Sequence, residues 1–223
     1  MGWLMLVTIL LFWLGNKLYK ELPILLFVPV FFAVSGSILF LWIFDFTFDQ
    51  YFKENEAITF FLGPSVVALG VLLFKQVRNV KKNLTPLVLS IGGGTLISVF
   101  SVMVFTLVFQ LPDDLSASLV PISITTPVAI DVAKGLGGDP GITSVVVIAI
   151  GIFGNMCAPW ILHKLGIIES EELGVGIGTG SHGIGTARAI RIHEKAGLYS
   201  GLAMAINAVI TVFLAPIIWG LFH

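Results

Sequence analysis

The sequence predicts an all-α, polytopic membrane protein with about eight membrane-spanning segments, three of them short or broken. Composition predicts it first. Of 223 residues, 57% are hydrophobic and 11% charged, and the mean hydropathy is +1.01. Soluble domains carry about 25% charged and about 45–50% apolar residues. A compact soluble body of this size could not hide so much apolar surface, and the same numbers exclude disorder, collagen and coiled coil. A single cysteine, Cys157, excludes a disulfide scaffold. The second observation is a series of eight uncharged runs, and the third is an uneven split of basic residues among the loops between them.

Met1–Asn16 reads as a first transmembrane helix, because it lacks the basic start and small-residue cleavage site of a signal peptide. Leu22–Phe44, Leu84–Gln110, Pro140–His163 and Ala196–His223 are long enough to span outright, since a crossing helix needs roughly 20 apolar residues. Ala57–Phe74, Leu115–Ile130 and Leu173–Ala187 are short or interrupted by Pro and Gly. If all eight cross, ten of the 12 basic residues fall on one side: Lys17, Lys20, Lys75, Arg78, Lys81, Lys82, Lys134, Arg188, Arg191 and Lys195. Cytoplasmic loops are enriched in Lys and Arg, so both termini are expected outside the cell membrane. The chain reads as one transmembrane domain over 1–223. An internal duplication at an offset of about 114 would divide it into halves 1–113 and 114–223. Interrupted helices at corresponding points of such halves are where many carriers bind substrate.

The most informative stretch is the glycine-rich Gly174–Arg188. Its Gly178–Gly183 segment matches the dinucleotide fingerprint, but no preceding strand in a βαβ unit supports that reading. Unwound backbone in lipid is tolerated only where it is buried in protein or lines a cavity. Six glycines therefore point to a helix broken at membrane depth, with close packing through small residues as the alternative. A second patch surrounds Pro127, which lacks a donor and pushes Thr126 from α geometry. Ser123, Thr125 and Thr126 would then present hydroxyls and free carbonyls at a break. The third break is Gly63-Pro64-Ser65.

At these residues the chain resembles the LrgB/CidB family. The match is carried by Ser181-His-Gly-Ile-Gly-Thr-Ala-Arg188, Ser123-Ile-Thr-Thr-Pro-Val-Ala129 and Leu62-Gly-Pro-Ser-Val-Val-Ala-Leu69, followed by the Ala203–Asn207 span. The resemblance covers essentially the whole chain. Family members are described as antiholin-like. Relatives include a plastid exchanger of glycolate and glycerate and bacterial proteins linked to pyruvate uptake. The resemblance also implies a small four-helix membrane partner of the LrgA/CidA type. Ile122, Asp131 and Gly180 depart from the family's usual lysine, glutamate and alanine, which bears on substrate rather than fold.

Two functions from different classes follow. One is a secondary carrier of small monocarboxylates or 2-hydroxy acids, driven by H+ or Na+. The other is an oligomer-forming regulator of murein hydrolase export and lysis. The carrier reading assigns substrate binding to Ser123, Thr125, Thr126, Pro127, Ser181, His182, Gly183, Gly185, Thr186 and Arg188. Asp131 and His182 are candidates for ion or proton coupling, with Pro64, Ser65 and Asn207 in support. Arg188 is equally readable as an interfacial anchor, His182 as a structural histidine, and Asp131 as a helix-end acid beside Lys134. No enzyme activity, metal, other cofactor or nucleic-acid partner is expected, and a homo-oligomer is.

Overall fold

The computed structural model describes residues 2–22, 24–61, 64, 67–68, 71, 74 and 84–222. These are overwhelmingly helical, and the chain divides into two compact units, Met1–Val66 and Val67–His223.

The first unit holds α1 (Trp3–Glu21), a 3-10 turn at Leu25–Phe27, α2 (Pro29–Ile43), α3 (Phe48–Glu54) and α4 (Glu56–Phe60). The long Leu22–Phe44 run is thus interrupted. Pro29 has no N–H to give and begins a new helix instead. The remaining 15-residue α2 is about 22 Å long at 1.5 Å per residue, short of the roughly 30 Å hydrocarbon layer. Helix α1 lies against α2 through small residues, a Cβ at Gly36 standing 3.0 Å from Leu11. Polar contacts fasten α1 to the last turn of α3: Leu4 N donates to Glu54 Oε2 (3.0 Å), and Thr8 Oγ1 meets Tyr51 OH (2.9 Å) and Asn55 Oδ1 (3.1 Å). Pro64 is helical and exposed, whereas Gly63, Ser65 and the stretch Lys75–Asn83 lie outside the described residues.

Among its described residues, the second unit contains three helices long and apolar enough to cross a membrane: α5 (Leu84–Val108), α8 (Pro140–Lys164) and α10 (Glu194–Phe222). Helices α5 and α10 run parallel. Leu87 and Ile91 pack with Tyr199, Leu202 and Ala203 near their starts, and Val99 and Met103 with Ala215 and Ile218 near their ends. Helix α8 runs the other way, because Leu162 at its end packs beside Ala196 at the start of α10. The bundle therefore has a Lys195 end and an Asp139 end.

Between these helices lie α6 (Asp113–Leu119), α7 (Thr126–Gly135) and α9 (Ser170–Ile192), and here the expected eight crossings fail. Helix α9 does not run through the bundle. Its start touches the start of α10 in the Glu171–Lys195 ion pair, and its last turn does too, where a Cβ on Gly197 would stand 2.5 Å from Ile190. A Cβ on Gly185 would lie 2.4 Å from Ser181 and 3.0 Å from Ile177. Eight residues of straight helix would separate Gly185 from Ile177 by about 12 Å. The reversal occurs at His182, whose backbone has φ 40° and ψ −138°. Both ends of α9 therefore sit at the Lys195 end.

The Leu115–Ile130 run also turns back. Ser118 accepts from Asp139 N (2.7 Å) and Thr143 Oγ1 (3.0 Å) at the Asp139 end. The non-helical segment Val120–Thr125 then runs inward. Val120 packs near Val132 and Leu136, and Ile124 reaches Val147 and Ala208 near mid-height. Helix α7 returns the chain outward. Pro127 does not break a helix, as expected, but starts one, and Thr126 is already helical. That position suits a residue whose missing N–H would have had no partner.

An internal correspondence follows, at half the expected offset. Helices α5 and α8 both have 25 residues, begin 56 residues apart and run in opposite directions. Each is followed by a segment that enters the bundle and turns back, from opposite ends. The outward halves begin at Thr126 and just after His182. The Ala57–Phe74 run, which the 114-residue offset pairs with α9, lies partly outside the described residues.

Candidate functional site

The two reversal points meet near mid-height, and Asn207 joins them. It lies near the middle of α10 and is completely buried. Its Nδ2 donates to Thr179 O (2.9 Å) beside the α9 reversal and to Ser123 O (3.1 Å) on the opposing segment. Its Oδ1 accepts from Thr95 Oγ1 of α5 (2.7 Å) and Thr211 Oγ1 (3.3 Å). All the hydrogen-bonding capacity of one amide thus goes into holding two breaks and a crossing helix together. The physical need is plain. A chain reversal at His182 removes the partner that a continuous helix would give Thr179 O, and an unpaired buried carbonyl costs about 1–3 kcal/mol.

The reversal itself is accommodated by α8. A Cβ on Gly154 would stand 1.7 Å from Ser181 Oγ, and one on Gly151 would stand 2.6 Å from the His182 ring. His182 is 3% exposed, and its Nε2 lies 2.9 Å from Val147 O. A carbonyl only accepts, so Nε2 carries the hydrogen. Thr186 Oγ1 donates to His182 O (2.8 Å) and meets Ser200 Oγ of α10 (2.8 Å). Asn155 Nδ2 donates to Ile184 O (2.7 Å).

The glycines divide into two groups. A Cβ on Gly174 or Gly178 would stand 2.3 or 2.2 Å from the backbone oxygens of Ala196 and Ser200. These are small residues four apart on each helix, packed backbone to backbone. Gly180 and Gly183 are exposed instead, and a Cβ on Gly180 would meet nothing within 4 Å. Close packing and a broken helix, the two readings of this run, are both present in successive parts of it.

The structure therefore gathers Ser123, Ser181, His182, Gly183, Gly185, Thr186 and Asn207 near one junction, with Thr125, Thr126 and Pro127 at the facing tip. It does not bring Arg188 there. Arg188 lies six residues beyond His182, about 9 Å back along the helix toward the Lys195 end. Asp131 is exposed, one turn into α7 from the tip, and lines a depression of about 460 Å³ with Val212 and Pro216. Sequence reading missed Thr95, Gly151, Gly154, Asn155 and Ser200, and noted Thr179 in the glycine-rich run without assigning it to the site. Asn155 is the one with a legible signal, an amide inside an otherwise apolar span.

The sequence profile of the LrgB-like family matches residues 8–221. The chain belongs to the LrgB-like family. Within it, a Bacillus subtilis (strain 168) protein, the uncharacterized YxaC, is 34% identical over 99% of this chain and 96% of its own length. The Staphylococcus aureus (strain Mu50 / ATCC 700699) holin-like protein CidB is 29% identical over 99% and 96%, respectively. The Bacillus cereus (strain B4264) antiholin-like protein LrgB is 29% identical over 94% and 92%. No solved structure matches the chain. The LrgB-like signature segments expected from sequence now have geometry: Ser181–Arg188 covers the α9 reversal and its return helix, and Ser123–Ala129 covers the opposing tip.

Proposed function

We propose that this LrgB-like chain is a secondary carrier of small monocarboxylates or 2-hydroxy acids, of the glycolate, glycerate or pyruvate class. The observation that carries the reading is the meeting of two interrupted segments from opposite ends of a bundle at Asn207. The return half of α9 begins at Gly183, where the first N–H groups of a helix have no upstream carbonyl of their own. Such a helix start favours an anion, and the exposed Gly183 lets one approach the backbone. Ser123, Thr125 and Ser181 supply nearby hydroxyls. Alternating access would come from movement of the reversal segments against α5, α8 and α10, coupled to H+ or Na+. The reading assigns the chain no chemical step on its solute.

The Lys195 end carries Lys164, Arg188, Arg191 and Lys195, whereas Lys134 lies toward the Asp139 end. The excess of Lys and Arg supports placing the Lys195 end in the cytoplasm of a cell membrane. This puts the C-terminus outside, as the sequence alone suggested, although Lys134 and Lys164 change sides. A second reading, a regulator of lysis acting with an LrgA/CidA-type partner, is favoured by the holin-like and antiholin-like names of the relatives. Uptake of labelled pyruvate, glycolate and glycerate into proteoliposomes, with and without an H+ or Na+ gradient, separates the two. Saturable, gradient-dependent flux is expected. Its absence for every small carboxylate would leave the regulator.

A further inference from the structure

Resting on the carrier reading, we propose that the groove between α5 and the inbound half of α9 is the water-filled path by which solute reaches the junction from the Lys195 end. The groove encloses about 690 Å³. Its α5 wall begins at Pro86 and Leu87 in the first turn and continues with Ser90, Gly94 and Ser98, spaced four apart and hence on one helix face. The opposite wall carries Glu171, Val175, Thr179 and Gly180. It therefore begins beside the Glu171–Lys195 pair and ends at the α9 reversal.

Three features distinguish it from a lipid-filled crevice. Helix α5 turns long apolar side chains outward elsewhere, with Ile97 68% and Leu89 70% exposed, yet only small or hydroxyl-bearing residues from its second turn onward face the groove. At the inner limit the Thr179 hydroxyl oxygen is buried and has no hydrogen-bond partner. An unsatisfied hydroxyl against hydrocarbon is costly, and water or a solute oxygen in the groove satisfies it. The mouth is polar, since Glu171 and Tyr199 line it and Lys195 pairs with Glu171. Gly94 is the narrow point: a Cβ there would stand 3.0 Å from Thr179 Cγ2.

The test uses single cysteines at Ser90, Ser98 and Ile97 in the full chain with Cys157→Ser, reconstituted in vesicles. A charged, membrane-impermeant thiol reagent should label S90C and S98C from the side that labels a cysteine at His193, and should leave I97C unlabelled. The transported carboxylate should slow labelling of S98C on the order of tenfold when present at ten times its dissociation constant. Adding Gly94→Val should protect S98C but leave S90C reactive. Labelling of S90C and S98C by lipid-soluble reagent alone, or at equal rates from both sides, would overturn the path. So would aqueous labelling that no tested carboxylate slows. Solute protection without any flux would keep the path as a binding route and overturn the carrier.

Discussion

At the scale of single residues, Asn207 and His182 show how side chains hold a break in a helix. The Asn207 amide donates to two orphaned carbonyls and accepts from two hydroxyls. Asn207→Leu keeps the volume and takes the amide from both carbonyls and from the Thr211 hydroxyl, while Thr95 Oγ1 keeps its bond to Ile91 O (2.8 Å). We expect it to lower unfolding stability in detergent by about 1–3 kcal/mol or more, because unmade buried hydrogen bonds cost about that much each. Thr95→Val, which removes one donor and leaves both carbonyls capped, should cost less than half of it. An equal loss in the two variants, read from chemical denaturation, would show that the capped carbonyls do not matter. The His182 ring donates to Val147 O, and glutamine can make the same bond. His182→Gln should therefore leave the pH dependence of transport unchanged, and Arg188→Lys, remote from the junction, should leave apparent affinity nearly normal. A flattened pH profile or a large loss of affinity would return those residues to the functional site.

At the scale of elements, the sequence marked where helices break but not where the chain goes next. Six glycines and Pro127 announced interruptions, and both lie at reversals. Direction was hidden because an uncharged run of about 15 residues has the same composition whether it crosses thinly or enters and returns. The contacts that decide it, Gly185 on Ile177 and Gly174 on Ala196, join residues whose pairing no periodicity shows. Nor could Gly151 and Gly154 be assigned from sequence. Two glycines in a long apolar span read as ordinary helix packing, whereas they are the space into which Ser181 and His182 fold. Gly154→Ala and Gly178→Ala should each destabilise by roughly 1–3 kcal/mol, the usual cost of overpacking. Gly183→Ala, with only Met204 Sδ near at 3.7 Å, should be tolerated in folding. Comparable losses at all three positions, measured by thermal unfolding in detergent, would contradict the division between packing and tip glycines.

At the scale of the whole second unit, two like-built segments in opposite directions give a junction reachable in principle from either end. Each has a 25-residue helix followed by a reversal segment, and the third crossing-length helix belongs to neither: α10 supplies Asn207 to both. That arrangement has a consequence for topology that distinguishes it from eight simple crossings. If Leu173–Ala187 crossed, Glu169 and His193 would lie on opposite faces of the membrane. In the folded chain α9 starts and ends beside the first turns of α10, so both residues lie on one face, and Asp113 and Asp139 share the other. Single cysteines at Glu169 and His193 should therefore react with an impermeant reagent from the same side, the cytoplasmic one by the distribution of Lys and Arg. Cysteines at Asp113 and Asp139 should react only from outside. Labelling of Glu169 and His193 from opposite faces would restore the crossing and remove the junction at Asn207 along with it. If both instead react from outside, the reversal stands and only the assigned orientation of the bundle changes.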